Sequence, residues 1–442
     1  MPDLSLRTNI LHWFRADLRL NDNTALQAAI KNGGKVFSTF IICRDTWTKH
    51  HYAPSKIDRM LASLDVLKGT LQELNIPLFL EEQPKYRDCV NTLITLCQTH
   101  AINAVYFNKQ YELDEARRDE IVINTLTQLG ISCVSFDDQC ITPPGVIRTA
   151  SGDPYQVFTP FKRIWLEKIK TTTLPPIQHL RLKSFCQHGV KTYHQTRDFP
   201  ARDATSRLSI DLTIGTISAR ECLAAVMQRT NGDISNNIKY PGELTWLSEL
   251  AWRDFYKHII FYRPDICRGN PYKLQTDKLP WQQDPVLLSA WKEGQTGFPL
   301  VDAAMRQLKQ TGWMHNRLRM VTAMFFTKTL FLDWRLGEAY FMEQLTDGDF
   351  AANNGGWQWC ASTGTDAVPY FRIFNPTTQS ERFDPEGSFI RQYCPELSSL
   401  NSKQIHDPYA RGVKDRQIHY PKPIIDYKHM RQVVIKHFKD LT

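Results

Sequence analysis

Apolar residues in the first 140 positions fall into short β-prone runs: "NILHWF" (9–14), "KVFSTFIIC" (35–43), "IPLFLEE" (76–82), "NAVYFN" (103–108) and "ISCVSFDD" (131–138). Between them the spacing changes to a helical period, at 23–31, 55–74, 87–100 and 113–130. Strand and helix in alternation predict a doubly wound, five-stranded parallel sheet with helices on both faces, over residues 1–140. The pattern breaks from 141 to 200, where "ITPPGVIRTASGDPYQVFTPF" and "TTTLPPIQ" are rich in proline and polar residues. This stretch is expected to be a long interdomain connector. From 201 to 442 the period is helical throughout, with runs at 244–262, 299–310, 313–331 and 335–345 and a short final helix. Ser218 followed by Glu221 predicts a capping box before "ARECLAAVMQR". An α/β domain, a connector and an all-α domain are therefore expected.

Charge sharpens this division. The chain carries a net +8 in 442 residues, yet residues 1–150 hold 16 Lys and Arg against 17 Asp and Glu. The whole excess lies in the later part, which suits a polyanionic partner, most simply nucleic acid; on charge alone a mildly basic surface without a partner is the commoner reason for such a balance. The ten cysteines include no C-x-x-C pair, and no Cys/His cluster has zinc spacing, so no metal site is expected. No apolar run approaches the length of a membrane span, and the N-terminal twenty residues lack a signal-peptide core, which predicts a cytoplasmic protein.

Eight of the eleven tryptophans fall between 246 and 359. In "TWLSELAWRDF", Trp246, Glu249 and Arg253 share one helical face, with Trp252 at its edge. In "GWMHNRLRMV", Trp313, Asn316 and Met320 repeat the spacing, with Arg317 alongside. Polar groups among indoles are costly in a core unless paired. An aromatic heterocycle with hydrogen-bonding edges would pair them; so would a simple Glu249–Arg253 ion pair. "DGDFAANNGGWQWCASTGTDA" (347–367) reads as neither a buried helix nor a solvated loop. Asp347 and Asp349 suit the donor edge of a heterocycle or a ribose, Asn353 a ring nitrogen, and Gly355 and Gly356 close backbone approach. Dinucleotide fingerprint, P-loop, G-x-S-x-G, H-E-x-x-H and zinc-deaminase signatures are all absent. The hydroxyls of "ATSRLS" (204–209) precede a helix start, where they serve as caps or receive phosphate.

"WFRADLRLNDN", "TSRLS", "WRDFYKHI", "TGWMHNRLRM" and "DGDFAANNGGWQWCASTGTDA…YFRIFNPTTQ" together resemble the photolyase/cryptochrome family, from about residue 10 to the last turns of the chain. The likeness is greatest to bacterial class I cyclobutane pyrimidine dimer photolyases. The resemblance implies an antenna chromophore in the α/β domain and FAD in the helical domain. Reduced flavin, excited by blue light, would pass an electron to a dimer flipped out of the duplex, with little sequence specificity. FAD would be held by Tyr193, Thr205, Ser206, Leu208, Ser209 and Trp246. Glu249, Arg253, Trp313, Asn316 and Arg319 would continue the site, and Asp347, Asp349 and Asn353 would complete it. Asn353 would face flavin N5, and Glu249 would also hydrogen-bond the lesion. Trp252 and Trp359 would stack on the flipped bases, Met320 would line their pocket, and Arg197 and Arg317 would hold flanking phosphates. Trp357, Trp334 and Trp281 match the photoreduction chain. For the antenna, His50, Asp114, Glu115, Cys267 and Arg268 align with the contacts to methenyltetrahydrofolate; the family has Asn at 114 and Lys at 268, which leaves a deazaflavin or an empty site open. Asn316 and Met320 stand where (6-4) photolyases carry histidines, and Asn353 stands where plant cryptochromes carry an acid. Both point to repair of cyclobutane dimers; the resemblance also implies a monomer, as members of this family usually are. The alternative is a blue-light receptor of the same fold without repair activity.

Overall fold

The computed structural model describes residues 8–32, 34–235, 237–414 and 418–441. The five predicted strands form, as β1 (Ile10–Phe14), β2 (Val36–Ile42), β3 (Leu78–Glu82), β4 (Ala104–Asn108) and β5 (Ser132–Phe136). They pair in parallel in the order β3-β2-β1-β4-β5. Every residue of β1 is buried, whereas edge strand β3 alternates, as expected when only the central strands are covered on both faces. Leu11, Trp13, Phe37, Ile41, Val105 and Phe107 point into one core under the helices Cys89–Thr99 and Leu113–Gln128. Phe14, Phe40 and Ile42 point into a second core with the helix Pro54–Glu73. The loop after β1 is a buried polar network. Asp17 accepts from the Arg15 amide at 2.6 Å and from Asn108 Nδ2 at 2.6 Å, and Arg15 pairs with Asp119 at 2.6 Å. Arg19 and Arg220 share Asp138, the latter at 2.6 Å. Burial alone would raise the Asp138 carboxyl, but the two guanidiniums hold it well below the carboxylate range.

Contacts divide the chain into two compact units: Met1–Lys191 with Ser206–Cys267, and Thr192–Thr205 with Arg268–Thr442. Ser206–Cys267, within the region expected to be purely helical domain, thus packs with the α/β sheet. The stretch 141–200 is also more ordered than its prolines suggest. It holds the helices Phe158–Ile169, Leu180–His188 and Tyr193–Thr196. In the first of these, Phe158, Phe161, Trp165 and Ile169 recur at helical spacing and are all buried, so the apolar face outweighs the flanking breakers. Trp165 donates its indole N–H to Asp254 at 2.9 Å.

The second unit is helical around one core that includes Trp291, Phe326, Trp334, Phe341 and Trp357. The helices Pro299–Thr311, Asn316–Lys328, Trp334–Gln344 and Phe350–Ala361 carry the positions of interest. Two expectations change here. Trp313 is not helical: Gly312, at φ +66°, closes one helix, and the His315 side chain caps the next by accepting from the Arg317 amide. The polar stretch after Asp347 is a helix, started by Asp349, whose carboxylate accepts from the Ala352 amide at 2.9 Å. No described helix is long and apolar enough to cross a membrane.

Candidate functional site

The first unit presents the helix Pro241–Tyr262. Gly242 lets it start against the 190–191 backbone, since an added Cβ would lie 2.1 Å from the Val190 carbonyl. Trp246 is buried, its ring 5.2 Å from Phe185. Glu249 and Arg253, one and two turns on, are half-buried, and Arg253 donates to the Gln139 carbonyl. Trp252 lies flat on Phe158, with ring centroids 3.6 Å apart and planes at 8°. The indole is thereby held in one orientation. The Ser206 hydroxyl accepts from the Leu208 amide, and buried Leu208 leads into a six-residue helix, Ser209–Ile214. The Ser218 cap forms at 2.9 Å, but the box is not reciprocal. Glu221 instead accepts from the backbone amides of Gln178 and His179 at 2.6 and 2.7 Å.

The same unit gathers four of the five antenna positions. His50 Nε2 lies 3.0 Å from Asp114 and its Nδ1 3.6 Å from Glu115. Burial pushes Asp114 up, but hydrogen bonds from Lys49 and His50 outweigh it and leave the carboxyl below its ordinary value. Glu115 moves the other way, raised by burial and by Glu112. Burial lifts the Cys267 thiol to about 12 despite a hydrogen bond with the Leu113 backbone. Arg268 follows in the chain as an exposed residue of the second unit.

The second unit holds a cavity of about 160 Å³ lined by Asn316, Arg319, Met320, Asp349, Asn353 and Gly356, with Asp347 and Trp357 also at its wall. Asn316 and Met320 stand four residues apart on one helical face, Nδ2 to Sδ 4.0 Å. Arg319 and Asp347 neutralise each other through two contacts of 3.0 and 2.8 Å, and Arg319 also donates to the Met314 carbonyl at 2.8 Å. Asn353 donates to the backbone and side chain of Glu338 at 3.0 and 3.2 Å. Glu338 was not foreseen: it lies fifteen residues earlier on another helix, and no local spacing marks it. Burial raises its carboxyl to about 7, although the Asn353 bond pulls it down. An added Cβ at Gly356 would meet nothing within 4 Å, so this helix face is open toward the cavity. Amide, guanidinium, carboxylate and indole groups around an open space suit a planar heterocycle with hydrogen-bonding edges, as FAD has.

Trp313, Tyr193, Thr205, Trp334, Trp281 and Trp359 do not line this cavity. Trp357 is packed at its back, edge-on to Phe341 at 5.0 Å and to Trp291 at 6.0 Å. Gly337 makes this possible, because a Cβ there would fall 2.1 Å from the Trp357 ring. Trp334 is buried, while Trp281 is half-buried and packs on Phe331 at 5.0 Å. The two arginines expected at phosphates converge on one acid: Asp198 lies 2.9 Å from Arg317 and 3.8 Å from Arg197. Arg317 also lies over the Phe383 ring at 4.4 Å. Burial lowers His315 to about 4, so its ring stays neutral and can accept from the Arg317 amide.

Comparison with known proteins covers both units. The family described as DNA photolyase matches residues 10–179, and the FAD binding domain of DNA photolyase matches 246–440. A deoxyribodipyrimidine photo-lyase of Vibrio cholerae is 42% identical over 469 residues, covering 97% of this chain and 99% of the relative. One from Escherichia coli is 43% identical over 463 residues, covering 96% and 97%. Among solved structures, a class III photolyase of Agrobacterium tumefaciens matches with a TM-score of 0.84 at 30% identity, over 100% of this chain and 99% of its own. An archaeal photolyase of Sulfolobus tokodaii, solved with two FAD molecules that imply a novel light-harvesting cofactor, matches at 0.82 and 30%, over 98% and 100%.

Proposed function

The chain belongs to the DNA photolyase family, and from that premise we propose that it is an FAD-dependent, light-driven DNA-repair enzyme acting on cyclobutane pyrimidine dimers. The observation that carries the reading is the cavity around Asn353 and its neighbours. When bound, FAD supplies the photochemical electron, so the chain needs no nucleophile. What the chain supplies is position and charge. Asn353 would present its amide at flavin N5, fixed in place by its bonds to Glu338. A Glu338 carboxyl that favours its proton near neutrality keeps a buried negative charge away from that point. The Arg319–Asp347 pair would anchor the isoalloxazine edge, and Trp246, Glu249 and Arg253 with the Thr205–Ser209 loop would hold the remainder.

For the lesion, Trp252 and Trp359 would offer aromatic faces to the flipped bases, a grip that tolerates any pyrimidine pair. Phe158 keeps Trp252 flat in advance. Asn316 and Met320 support the cyclobutane class over (6-4) photoproducts, since neither can act as the acid that histidines provide. Arg197 and Arg317 would exchange Asp198 for the flanking phosphates, contacts that position without reading sequence. Trp357, Trp334 and Trp281 grade from buried to half-buried, which supports their assignment as the photoreduction chain. A folate at His50, Asp114, Glu115, Cys267 and Arg268 is the antenna we favour, in a monomeric cytoplasmic enzyme.

The test is binding in the dark. A duplex carrying one thymine cyclobutane dimer should bind far more tightly than the undamaged duplex at the same salt concentration. Equal affinity for the two would sink the lesion reading.

A further inference from the structure

We propose that Cys43 and Cys89 form a hydroperoxide-driven disulfide within the α/β unit, a modification site separate from the repair chemistry. Cys43 directly follows β2, and Cys89 is the first residue of the eleven-residue helix Cys89–Thr99. Their sulfurs lie 3.5 Å apart, and both side chains are buried. A disulfide of about 2 Å needs the sulfurs to close by roughly 1.5 Å.

The surroundings suit the chemistry. Both cysteines line a cavity of about 50 Å³ that also exposes Arg15, Arg118, Lys56 and Gln110. That is room for one or two water-sized molecules, hence for hydrogen peroxide but not for a bulky disulfide such as oxidised glutathione. Arg15 is 6% exposed, and among the described residues its Nε and Nη2 have no hydrogen-bond partner, so a donor is free to polarise a peroxide oxygen. The other edge of Arg15 and the Arg118 guanidinium are fixed by Asp119. The hydrogen bond from Cys43 lowers the Cys89 thiol, and Arg118 and Arg15 lower it further, against burial and Asp88. Cys43 is raised by the same contact, so Cys89 is the sulfur of the pair that gives up its proton more readily.

The step balances without a further reagent. The Cys89 thiolate attacks one peroxide oxygen, and the O–O bond breaks. The leaving hydroxide takes the Cys43 proton and departs as water. The Cys43 thiolate then attacks the Cys89 sulfenic sulfur, the S–S bond forms, the S–O bond breaks, and hydroxide picks up a proton to leave as a second water. Two thiols are oxidised and one peroxide is reduced. The product ties the end of β2 to the helix after β3.

The experiment treats the full-length, FAD-loaded protein in the dark with hydrogen peroxide or with oxidised glutathione, then counts thiols after denaturation. The count should fall from ten to eight with peroxide and stay at ten with oxidised glutathione. Tryptic digestion without reduction should link peptide 36–44 to peptide 88–109, with the bond at Cys89 rather than Cys97 by fragmentation. In Cys43→Ser, Cys89 should be trapped as a sulfenic acid; in Cys89→Ser, Cys43 should stay reduced. A thiol count unchanged by peroxide, a bond through Cys97, or equal oxidation by glutathione disulfide would each overturn the proposal. Because the first arm uses the unmodified chain, misfolding of a variant cannot mask the answer.

Discussion

Glu338→Gln isolates one buried charge beside the cavity. The Glu338 carboxyl stands at about 7 against an ordinary 4.5, because burial disfavours the ion more than the Asn353 amide favours it. Between these two values the folded chain holds a proton that the unfolded chain releases. The site's contribution to stability is therefore complete below the unfolded value and is lost as pH rises through about 7. At about 1.4 kcal/mol per pH unit, the rise from 4.5 to about 7 sets a ceiling of about 3.5 kcal/mol. The half-buried side chain keeps some solvent, so the realised value is lower. Glutamine keeps an acceptor for Asn353 but cannot ionise. Scanning calorimetry of wild type and variant, at one scan rate, should give similar midpoints at about pH 5. At about pH 8 the variant should have gained roughly 1–3 °C over wild type, on a scale of about 1 °C per kcal/mol for a chain of 442 residues. Taking the difference between two chains cancels every other titrating group. A gap that stays constant across this range would refute the assignment of an elevated Glu338.

Three further substitutions probe other contacts. Gly337→Ala places a Cβ 2.1 Å from the Trp357 ring; overpacking should cost about 1–3 kcal/mol and slow photoreduction of oxidised FAD, with repair by pre-reduced enzyme less affected. Unchanged photoreduction and melting would contradict the packing argument. Arg319→Ala removes the guanidinium from a buried Asp347 and should cost roughly 2–3 kcal/mol, below the fully buried range because Arg319 keeps some exposure; flavin released on heating should fall with it. Trp252→Ala should weaken dark binding of dimer-containing DNA by roughly 10–100-fold while FAD content holds, and unchanged affinity would remove Trp252 from the lesion site.

Local pattern carried much of this structure. All five strands and the helix bearing Trp246 and Glu249 were legible, because central strands are continuously apolar and that helix keeps Trp246, Leu247, Leu250, Ala251 and Phe255 at helical spacing. Trp313 was misplaced because a helical period alone does not register the Gly312 stop and the His315 cap between two helices. The helices of 158–196 were hidden by prolines: Pro175 and Pro176 lie between them, and Pro160 sits in the first turn of Phe158–Ile169, where its missing amide costs no helical bond. The stretch from Phe350 hides its helix for another reason: its faces serve a cavity as well as a core, so apolar periodicity is weak. What no spacing could reveal was tertiary: Glu338 under Asn353, Asp198 between two arginines, Gly337 against Trp357. The resemblance named residues around the cavity, but not these partners.

The central claim is tested most directly by repair itself. Protein with reduced FAD would be illuminated with blue light in the presence of an oligonucleotide carrying one thymine cyclobutane dimer, beside a matched (6-4) substrate and a dark control. The account predicts restored thymines from the cyclobutane substrate alone, and only in the light. Flavin-loaded, reduced protein that leaves the dimer intact under illumination would contradict it and return the fold to a receptor role.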